Sequence, residues 1–347
     1  MKNGTQVVHG TEHRALEPGA AINWDDVRLF LKAAEHSSFR AAAAEVRLSV
    51  NSFRRRIEAL ERQVNAVLFN RSAKGVELTA EGEKVRAAGI AMLQQARMLA
   101  HMSQKKKPGL RTTVRIGVTE GIGTFWLIPR LVDLYTSKPG IQVDLRCEMR
   151  APDISALEVD LAVQLERPTD PTLVVTRLGW LHIVLYASRD YISQHGAPSK
   201  KAELPNHSFI ELVAEQIPSE WLQTDATERD TRSFVALRVN TSSAQVLAVT
   251  HGAGVTALPN YAHILSDSLV HVAPDFVLKR DIWLAYNQQA AEFPHVRTVI
   301  DWMKASFNVA RYPWFGSSFL TPDELTEFMK QRNQAGLFAK FIESTPL

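Results

Sequence analysis

The N-terminal third of the chain carries the hydrophobic spacing of short amphipathic helices. A first helix is predicted from residue 24, with Asn23 as its N-cap, because one helical face collects Trp24, Val27, Phe30, Leu31 and Ala34. Ser38 can cap a second helix over 39–46, and Ser49 can cap a third whose buried face is Phe53, Ile57, Leu60 and Val64. Two short helices, a tight turn and a third helix predict a helix-turn-helix.

The exposed side of the third helix is polar and basic. Its N-terminal half carries Asn51, Ser52, Arg54, Arg55 and Arg56. In a helix-turn-helix this half meets base edges in the major groove, so these residues are predicted to contact DNA. Two short apolar stretches then flank the sequence Ser-Ala-Lys-Gly at 72–75, which predicts a small hairpin, or wing. Arg71 and Lys74 at its tip suit phosphate contacts, which orient a protein on DNA.

Residues 80–110 are predicted to form a long amphipathic helix. Its apolar seam consists of Val85, Ala88, Met92, Leu93, Ala96, Leu99 and Met102. The run 105–109, three lysines followed by proline and glycine, ends it because proline cannot continue a helix. Such a seam pairs with a second copy of the helix or packs on its own domain. The first alternative predicts a homodimer through this helix, and both alternatives remain open.

From residue 113 the pattern changes to apolar strands that alternate with helices. Strands are predicted at 113–118, 141–147 and 159–163, and others follow up to 281–286 before a closing helix over 296–307. This alternation predicts an α/β domain with a parallel sheet. Residues 119–124 are expected to form a loop, although their Gly-Ile-Gly lacks the third glycine of a dinucleotide-binding loop.

Ligands of α/β sheets lie at the carboxyl ends of strands and near helix N-termini. The residues at such positions are Thr119, Gly121, Thr124, Gln164, Asn240, Thr241, Ser242 and Ser243. Their hydroxyls and backbone N–H groups suit a small organic anion, but each Thr or Ser is equally an ordinary helix cap. Glu120 complicates this interpretation, because a carboxylate at that position repels an anion.

Residues 308–347 form a hydrophobic C-terminal extension. Tyr312–Gly316 is an aromatic stretch bent by proline, and Thr321-Pro322-Asp323-Glu324 has the composition of a helix start. Leu325, Phe328 and Met329 face one way, and a second apolar cluster follows after residue 336. The extension is too apolar for a solvated tail. It is expected to dock on the α/β domain or on a neighbouring subunit, and the sequence does not choose between them.

Charge is distributed unevenly along the 347 residues. The net charge is +3, but residues 23–110 carry 16 basic and nine acidic side chains, whereas residues 111–347 carry 22 and 26. Only the basic segment is therefore expected to approach a polyanion, with residues 1–22 as a flexible extension ahead of it. The single cysteine excludes an intrachain disulfide and fits a reducing cytoplasm.

Several classes of protein are not supported by the sequence. No run approaches the ~18 apolar residues of a membrane span, so no membrane partner is expected. The 11 histidines form no metal-spaced cluster, and no Ser/His/Asp motif with local context stands out. We therefore expect no enzyme activity, no cofactor and no metal.

At this point the chain resembles the LysR-type transcriptional regulators. The resemblance is carried by Phe30, Ala33, Ser38-Phe39, Ala42-Ala43, Arg55, Ile57, Leu60-Glu61, Leu68-Phe69, Arg71, Leu78-Thr79 and Gly82. It implies a winged helix-turn-helix over 23–79, a linker helix over 80–110 and a two-lobed, periplasmic-binding-protein-like α/β effector domain over 111–307. Lobe I would comprise 113–186 and 280–307, and lobe II 187–279. It also implies a cytoplasmic homotetramer, built as a dimer of dimers, on a pseudo-palindromic operator of double-stranded DNA.

The sequence departs from the family pattern at the recognition helix. The family often has glycine where this chain has Ser37 and Asn65, and Gln-Pro-Ala-Val-Ser where this chain reads Val50–Arg54. The base-reading glutamine is missing and an extra arginine is present, which leaves the operator sequence open. The predicted function is a sequence-specific transcriptional regulator that responds to a small molecule. The alternatives are a solute-binding protein or enzyme that uses the α/β region, and an architectural DNA-binding protein without an effector.

Overall fold

The computed structural model describes residues 22–72, 75–103, 112–155, 158–217 and 234–332. The chain divides into two compact units, residues 1–105 and 106–347. No helix within the described ranges is long and apolar enough to cross a bilayer.

The helices and strands follow the chain in this order. The α-helices are α1 Trp24–Ala34, α2 Phe39–Glu45, α3 Val50–Val64, α4 Ala80–Ser103, α5 Glu120–Ile122, α6 Ile128–Ser137, α7 Arg189–His195, α8 Ser242–Thr250, α9 Pro294–Ser306 and α10 Pro322–Gln331. The strands are β1 Phe69–Ser72, β2 Gly75–Leu78, β3 Thr112–Thr119, β4 Ile141–Glu148, β5 Leu161–Gln164, β6 Leu173–Ser188, β7 Phe209–Leu212, β8 Val235–Val239, β9 Thr256–Pro259, β10 Leu269–Val272 and β11 Leu278–Asn287. Short 3₁₀ turns occupy Lys201–Asn206, Ala262–Ile264, Ala290–Glu292 and Pro313–Phe315.

The first unit is a three-helix domain with a wing, and its predicted helix starts are confirmed. Asn23 accepts a hydrogen bond from the Asp25 N–H at 2.9 Å, and Ser38 accepts one from the Ala41 N–H at 3.2 Å. Ser49 caps α3 through the Ser52 N–H at 3.1 Å. Each cap satisfies an N–H that the first helical turn cannot bond internally, and therefore fixes where the helix begins. The core between the helices is formed by Phe30, Phe39, Phe53, Ile57, Leu60, Leu68 and Phe69.

Two non-glycine residues end helices in the left-handed conformation. Asn65 terminates α3 with φ 51°, as its side chain favours. Arg47, between α2 and α3, has φ 55°. The Leu48 N–H there reaches the Ala43 carbonyl at 3.0 Å, which closes the end of α2 and begins the tight turn of the helix-turn-helix. An arginine in this conformation is strained, because its Cβ crowds the backbone.

The apolar residues of the long helix α4 fall into two groups, one packed on the first unit and one exposed. Gly89 lies against Val27 and Leu31 of α1, and Val85, Ile90 and Leu93 pack on the helix-turn-helix core. Met92 and Leu99 remain exposed. Part of the seam therefore packs on its own domain, and the pairing of the exposed part with a second copy stays a prediction.

The second unit contains a mixed sheet, not the parallel sheet that the sequence predicted. Its first part has the order β4-β3-β5-β11-β6, in which β3 is parallel to β4 and β5, while β11 is antiparallel to β5 and β6. From Ile183 onward β6 pairs with β9 and β10, also antiparallel. The expectation failed because β11, from a distant part of the chain, lies between β5 and β6 and runs opposite to both, and the local pattern of strands and helices does not reveal this insertion. The expected boundary between the lobes at residue 186 falls inside β6.

The described part of the C-terminal extension packs on its own α/β domain. Trp314 and Phe315 are fully buried, and Trp314 meets the Trp126 ring edge-to-face at 5.5 Å between centroids. The Arg130 guanidinium lies 3.0 Å from the centroid of the Trp126 ring and 4.9 Å from that of Tyr312, and burial lowers its pKa to about 10. A capping box between Thr321 and Glu324 starts α10, as predicted. Residues 333–347, with the second predicted apolar cluster, lie outside the described residues.

Candidate functional site

The first candidate surface is the N-terminal half of α3. Phe53, Ile57 and Leu60 are completely buried, so the opposite side of the helix faces outward. Asn51, Arg54 and Arg55 are exposed on that side. The surface thus offers one amide and two guanidinium groups, which are the side chains that bond purine edges and phosphates.

Two other residues predicted to contact DNA make bonds inside the domain. Arg56 Nε donates to Oδ1 of the buried Asp26 at 2.5 Å, and so ties α3 to α1. Ser52 Oγ accepts from Ser49 Oγ at 2.9 Å beside the helix cap. Arg56 lies three residues after Phe53, at the edge of the buried stripe, and for this reason reaches α1. The pair holds α3 against α1, and the DNA contact of Arg56 stays a prediction.

The predicted wing is present as the antiparallel pair of β1 and β2. The strands pair from Phe69 opposite Leu78 to Ser72 opposite Gly75. Gly75 has φ 130°, a conformation that side chains rarely adopt, which explains the glycine at this turn. The Arg71 side chain and Lys74 lie outside the described residues, so their predicted phosphate contacts remain predictions.

One cluster in the first unit has the side-chain types of a metal site. Glu35, His36 and Glu45 bring their ligand atoms within 4.8 Å of one another. The Lys32 ammonium lies among them, 2.6 Å from Glu35 and 2.8 Å from Glu45. A cation of the chain itself therefore already bonds to both carboxylates and offsets part of their charge.

The second candidate site is a cavity in the α/β unit, of about 530 Å³ including its opening to solvent. It lies where α5 and the end of β3 face the start of α8 and the end of β9. Its polar lining residues are Thr119, Ser242, Gln245 and Tyr261. Its other lining residues are Gly121, Ile122, Phe125, Leu165, Leu181, Ile183, Leu212, Ile217, Val246, Ala257, Leu258, Pro259, Ala262 and Leu265. A mainly apolar lining with a few polar groups is typical of a small-molecule site.

Three of the residues predicted to bind an effector line this cavity, namely Thr119, Gly121 and Ser242. A Cβ on Gly121 would lie 2.8 Å from Ser242 Oγ, so only glycine lets α5 and α8 approach this closely. The expected loop over 119–124 is wrong, because residues 120–137 are helical, with a π-helical stretch over Gly123–Leu127. Gly121 and Gly123 thus serve close packing and do not form a flexible loop.

The other five predicted effector residues do not line the cavity. Gln164 turns away and donates to the Glu166 carbonyl at 2.9 Å, and Asn240 is exposed. Thr241 caps α8 by accepting from the Ala244 N–H, and Ser243 Oγ donates to Thr241 Oγ1. Thr124 Oγ1 donates to Glu120 at 3.1 Å. For Thr241, the interpretation as an ordinary helix cap describes what the structure contains.

Glu120 is the charged residue that complicates the prediction of an anion. It is buried, and its Oε2 accepts the backbone N–H of Ser243 at 3.1 Å, in the first turn of α8. Its Oε1 accepts a hydrogen bond from Thr124 Oγ1, so both carboxylate oxygens are hydrogen-bonded. A carboxylate at a helix N-terminus is stabilised by the helix dipole and by the unbonded N–H groups.

Gln216 does not line the cavity but bonds to Thr119 of its wall, and the sequence did not predict this role. Its Oε1 accepts from the Leu165 N–H at 2.9 Å and from Thr119 Oγ1 at 3.5 Å, and its Nε2 donates to the Met149 carbonyl at 3.3 Å. It thereby joins the segment after β7 to the segments after β3, β4 and β5. A lone glutamine in a loop gives no sequence signal of this role. Gln245 was also missed, although it lies only one turn from Ser242 on α8.

Comparisons with known proteins match both units. A family described as "LysR substrate binding domain" matches residues 107–308, and one described as "Bacterial regulatory helix-turn-helix protein, lysR family" matches residues 24–83. The HTH-type transcriptional regulator DmlR of Escherichia coli (strain K12) is 25% identical over 297 residues, which cover 84% of this chain and 96% of DmlR. The HTH-type transcriptional activator AaeR of the same organism is 29% identical over 241 residues, covering 67% and 75%.

Solved structures show the same fold. ArgP from Mycobacterium tuberculosis has a TM-score of 0.53 at 21% identity, covering 83% of this chain and 98% of ArgP. CrgA from Neisseria meningitidis, described as a LysR-type transcriptional regulator, has a TM-score of 0.51 at 17% identity, covering 83% and 99%. The two family matches end at residues 308 and 83, so neither covers the segment that contains Trp314 and α10.

Proposed function

The chain belongs to the LysR family of bacterial transcriptional regulators, and from this premise we propose that it binds its operator through Asn51, Arg54 and Arg55 of α3. It is a DNA-binding regulator with an effector-binding domain. The observation that carries the choice of residues is the exposed face of α3, opposite the buried Phe53, Ile57 and Leu60. Arg71 and Lys74 of the wing are proposed as phosphate contacts, which add affinity without selecting sequence.

The proposed operator is pseudo-palindromic double-stranded DNA, because two copies related by a two-fold axis present two recognition helices. We assign the dimer contact to α4, on which Met92 and Leu99 are exposed while Val85 and Leu93 are used within the domain. We further propose that two such dimers form a homotetramer. It would act in the cytoplasm, where the bacterial chromosome lies.

The proposed effector site is the cavity between the starts of α5 and α8. Thr119, Gly121 and Ser242 are the residues kept from the sequence prediction, and Gln245 is added to them. A ligand that binds there can change DNA binding only by its different affinity for two arrangements of the protein. We propose neither a catalytic step nor a cofactor for this cavity.

Replacement of Arg55 by alanine tests the DNA contact. The matched control is Arg62→Ala, since Arg62 is also exposed on α3 but lies in its last turn. The operator is first located by genome-wide mapping of the fragments that the purified full-length protein binds. Gel-shift titrations on that fragment at fixed salt are expected to show a loss of about 1–3 kcal/mol for Arg55→Ala, the range for an arginine that reads a base.

The control variant is expected to bind almost as the wild type does. Equal affinity of wild type and Arg55→Ala would refute the contact. Binding without preference for any fragment would instead favour an architectural DNA-binding protein over a regulator.

A further inference from the structure

A carboxylate that the chain itself supplies lies beside the effector cavity, because Glu120 stands between the lining residues Thr119 and Gly121. The start of α8 is the part of the cavity wall with the N–H groups and dipole that attract an anion. Glu120 already occupies this position, because its Oε2 accepts the Ser243 N–H at 3.1 Å and its Oε1 accepts Thr124 Oγ1 at 3.1 Å. The groups that would bind an incoming anion are therefore partly used.

No compensating positive charge lines the cavity. Among the described residues that line it, none is lysine, arginine or histidine. Most of the wall is aliphatic or aromatic, and none of these lining residues is acidic. Glu120, next to the wall, is 7% exposed. An anion entering this cavity would lose its water next to a buried carboxylate and gain no counter-charge, which is unfavourable on both counts.

The remaining polar atoms of the wall suit a neutral hydrogen-bonding group. Ser242 lines the cavity and carries a hydroxyl that can donate a hydrogen bond. Gln245 uses Nε2 to donate to Thr256 Oγ1 at 2.7 Å and to the Ala257 carbonyl at 3.1 Å, which leaves its Oε1 as an acceptor. One donor and one acceptor on the same face of α8 match an amide or an alcohol.

We propose that Glu120 acts as a built-in anion at the start of α8, and that the effector is an uncharged, largely apolar molecule with a single amide or hydroxyl group. The inference rests on the proposed effector function of the cavity. It replaces the small organic anion that the sequence suggested, because the chain's own carboxylate takes the anion's position. Glu120 thus determines ligand specificity by charge, while Ser242 and Gln245 orient the ligand.

Matched pairs of aryl carboxylates and their primary amides test this selection, because the members of each pair have nearly the same size. Benzoate and benzamide, phenylacetate and phenylacetamide, and cinnamate and cinnamamide are titrated into the full-length protein at pH 7.5. Binding is detected by saturation-transfer NMR and quantified by calorimetry. The variants are Glu120→Gln, which keeps the shape and an acceptor oxygen but removes the charge, and the control Glu166→Gln at an exposed position.

The wild type and Glu166→Gln are expected to bind the amides at least about tenfold more tightly than the carboxylates. In Glu120→Gln this ratio is expected to fall towards one. Carboxylates that bind the wild type as tightly as amides would overturn the proposal. So would an unchanged ratio in Glu120→Gln, or no binding of any amide at millimolar concentration. If Glu120→Gln does not fold, the wild-type ratio alone decides.

The same preparations are assayed for operator binding by gel shift. Failure of the wild type to bind any DNA fragment selectively would count against the proposed function. The ligand titrations would then still decide whether the cavity prefers amides to carboxylates. Selective DNA binding combined with no preference for amides would count against the inference alone.

Discussion

The C-terminal extension offers the sharpest test of the packing, through the substitution Trp314→Ala. The Trp314 side chain is completely buried, and its ring lies 5.5 Å from those of Trp126 and Tyr312 and 6.0 Å from that of Phe315. The family match ends at residue 308 and gives no reason for this contact. The substitution therefore asks whether the extension is part of the core of the α/β unit.

The expected magnitude follows from the buried area. A buried tryptophan removes about 200 Å² of mostly apolar surface from water, which at about 25 cal/mol per Å² corresponds to about 5 kcal/mol. Compactness of the unfolded chain lowers this figure, whereas the cavity left behind raises it, so we expect a loss of about 3–5 kcal/mol. For a unit of this size the melting temperature should fall by about 10 °C.

Urea denaturation of the full-length protein measures this loss. Six of the seven tryptophans lie beyond residue 105, so their fluorescence reports mainly on the α/β unit. The control is Trp180→Ala, because Trp180 is half-buried and stacks on Arg177 and Lys279 at 4.4 and 4.6 Å. Its loss is expected to stay near about 1–2 kcal/mol. If Trp314→Ala costs no more than this control, the extension is not part of the core and our account of residues 308–332 is wrong.

Two further predictions concern the stability of each unit. Arg47→Gly should raise the free energy of unfolding of the helix-turn-helix by about 0.5–1 kcal/mol, since glycine adopts φ 55° without strain. Amide hydrogen exchange along α2 and α3 should become slower, and faster exchange would contradict the prediction. Burial lowers the pKa values of His182, His263 and His271 below 6.5. Near that pH the folded unit therefore binds fewer protons than the unfolded chain does. The stability of the unit should fall as pH drops below about 6.5. Urea midpoints at pH 7.5 and 5.5 check the sign, and His263→Gln should reduce the difference.

The helix-turn-helix was predictable because local rules determine most of it. Asn23, Ser38 and Ser49 cap helices where the sequence placed them, and the spacing of Phe53, Ile57 and Leu60 identified the buried face of α3. Exposure of Asn51 and Arg55 followed from the same periodicity. Arg56 escaped this reasoning, because its pairing with Asp26 depends on how α3 crosses α1.

The effector cavity was predictable only in part. Thr119 and Ser242 were identified because strand ends and helix starts are marked in the sequence. The loop expected at Gly121 and Gly123 was wrong, because glycine indicates close approach as often as it indicates a turn, and the partner at Ser242 is about 120 positions away. Gln216 gave no signal at all, since its three partners come from three different segments.

The sequence by itself determined the helix-turn-helix, the long helix, the α/β class of the second unit and the uneven distribution of charge. These features depend on periodicity and composition over neighbouring residues. Only the tertiary structure decided that the sheet is mixed, that residues 308–332 pack on the α/β unit, and that the Glu120 carboxylate bonds to the start of α8. Each of these joins residues far apart in the chain, and local propensity contains no information on which distant backbone N–H a buried carboxylate will meet.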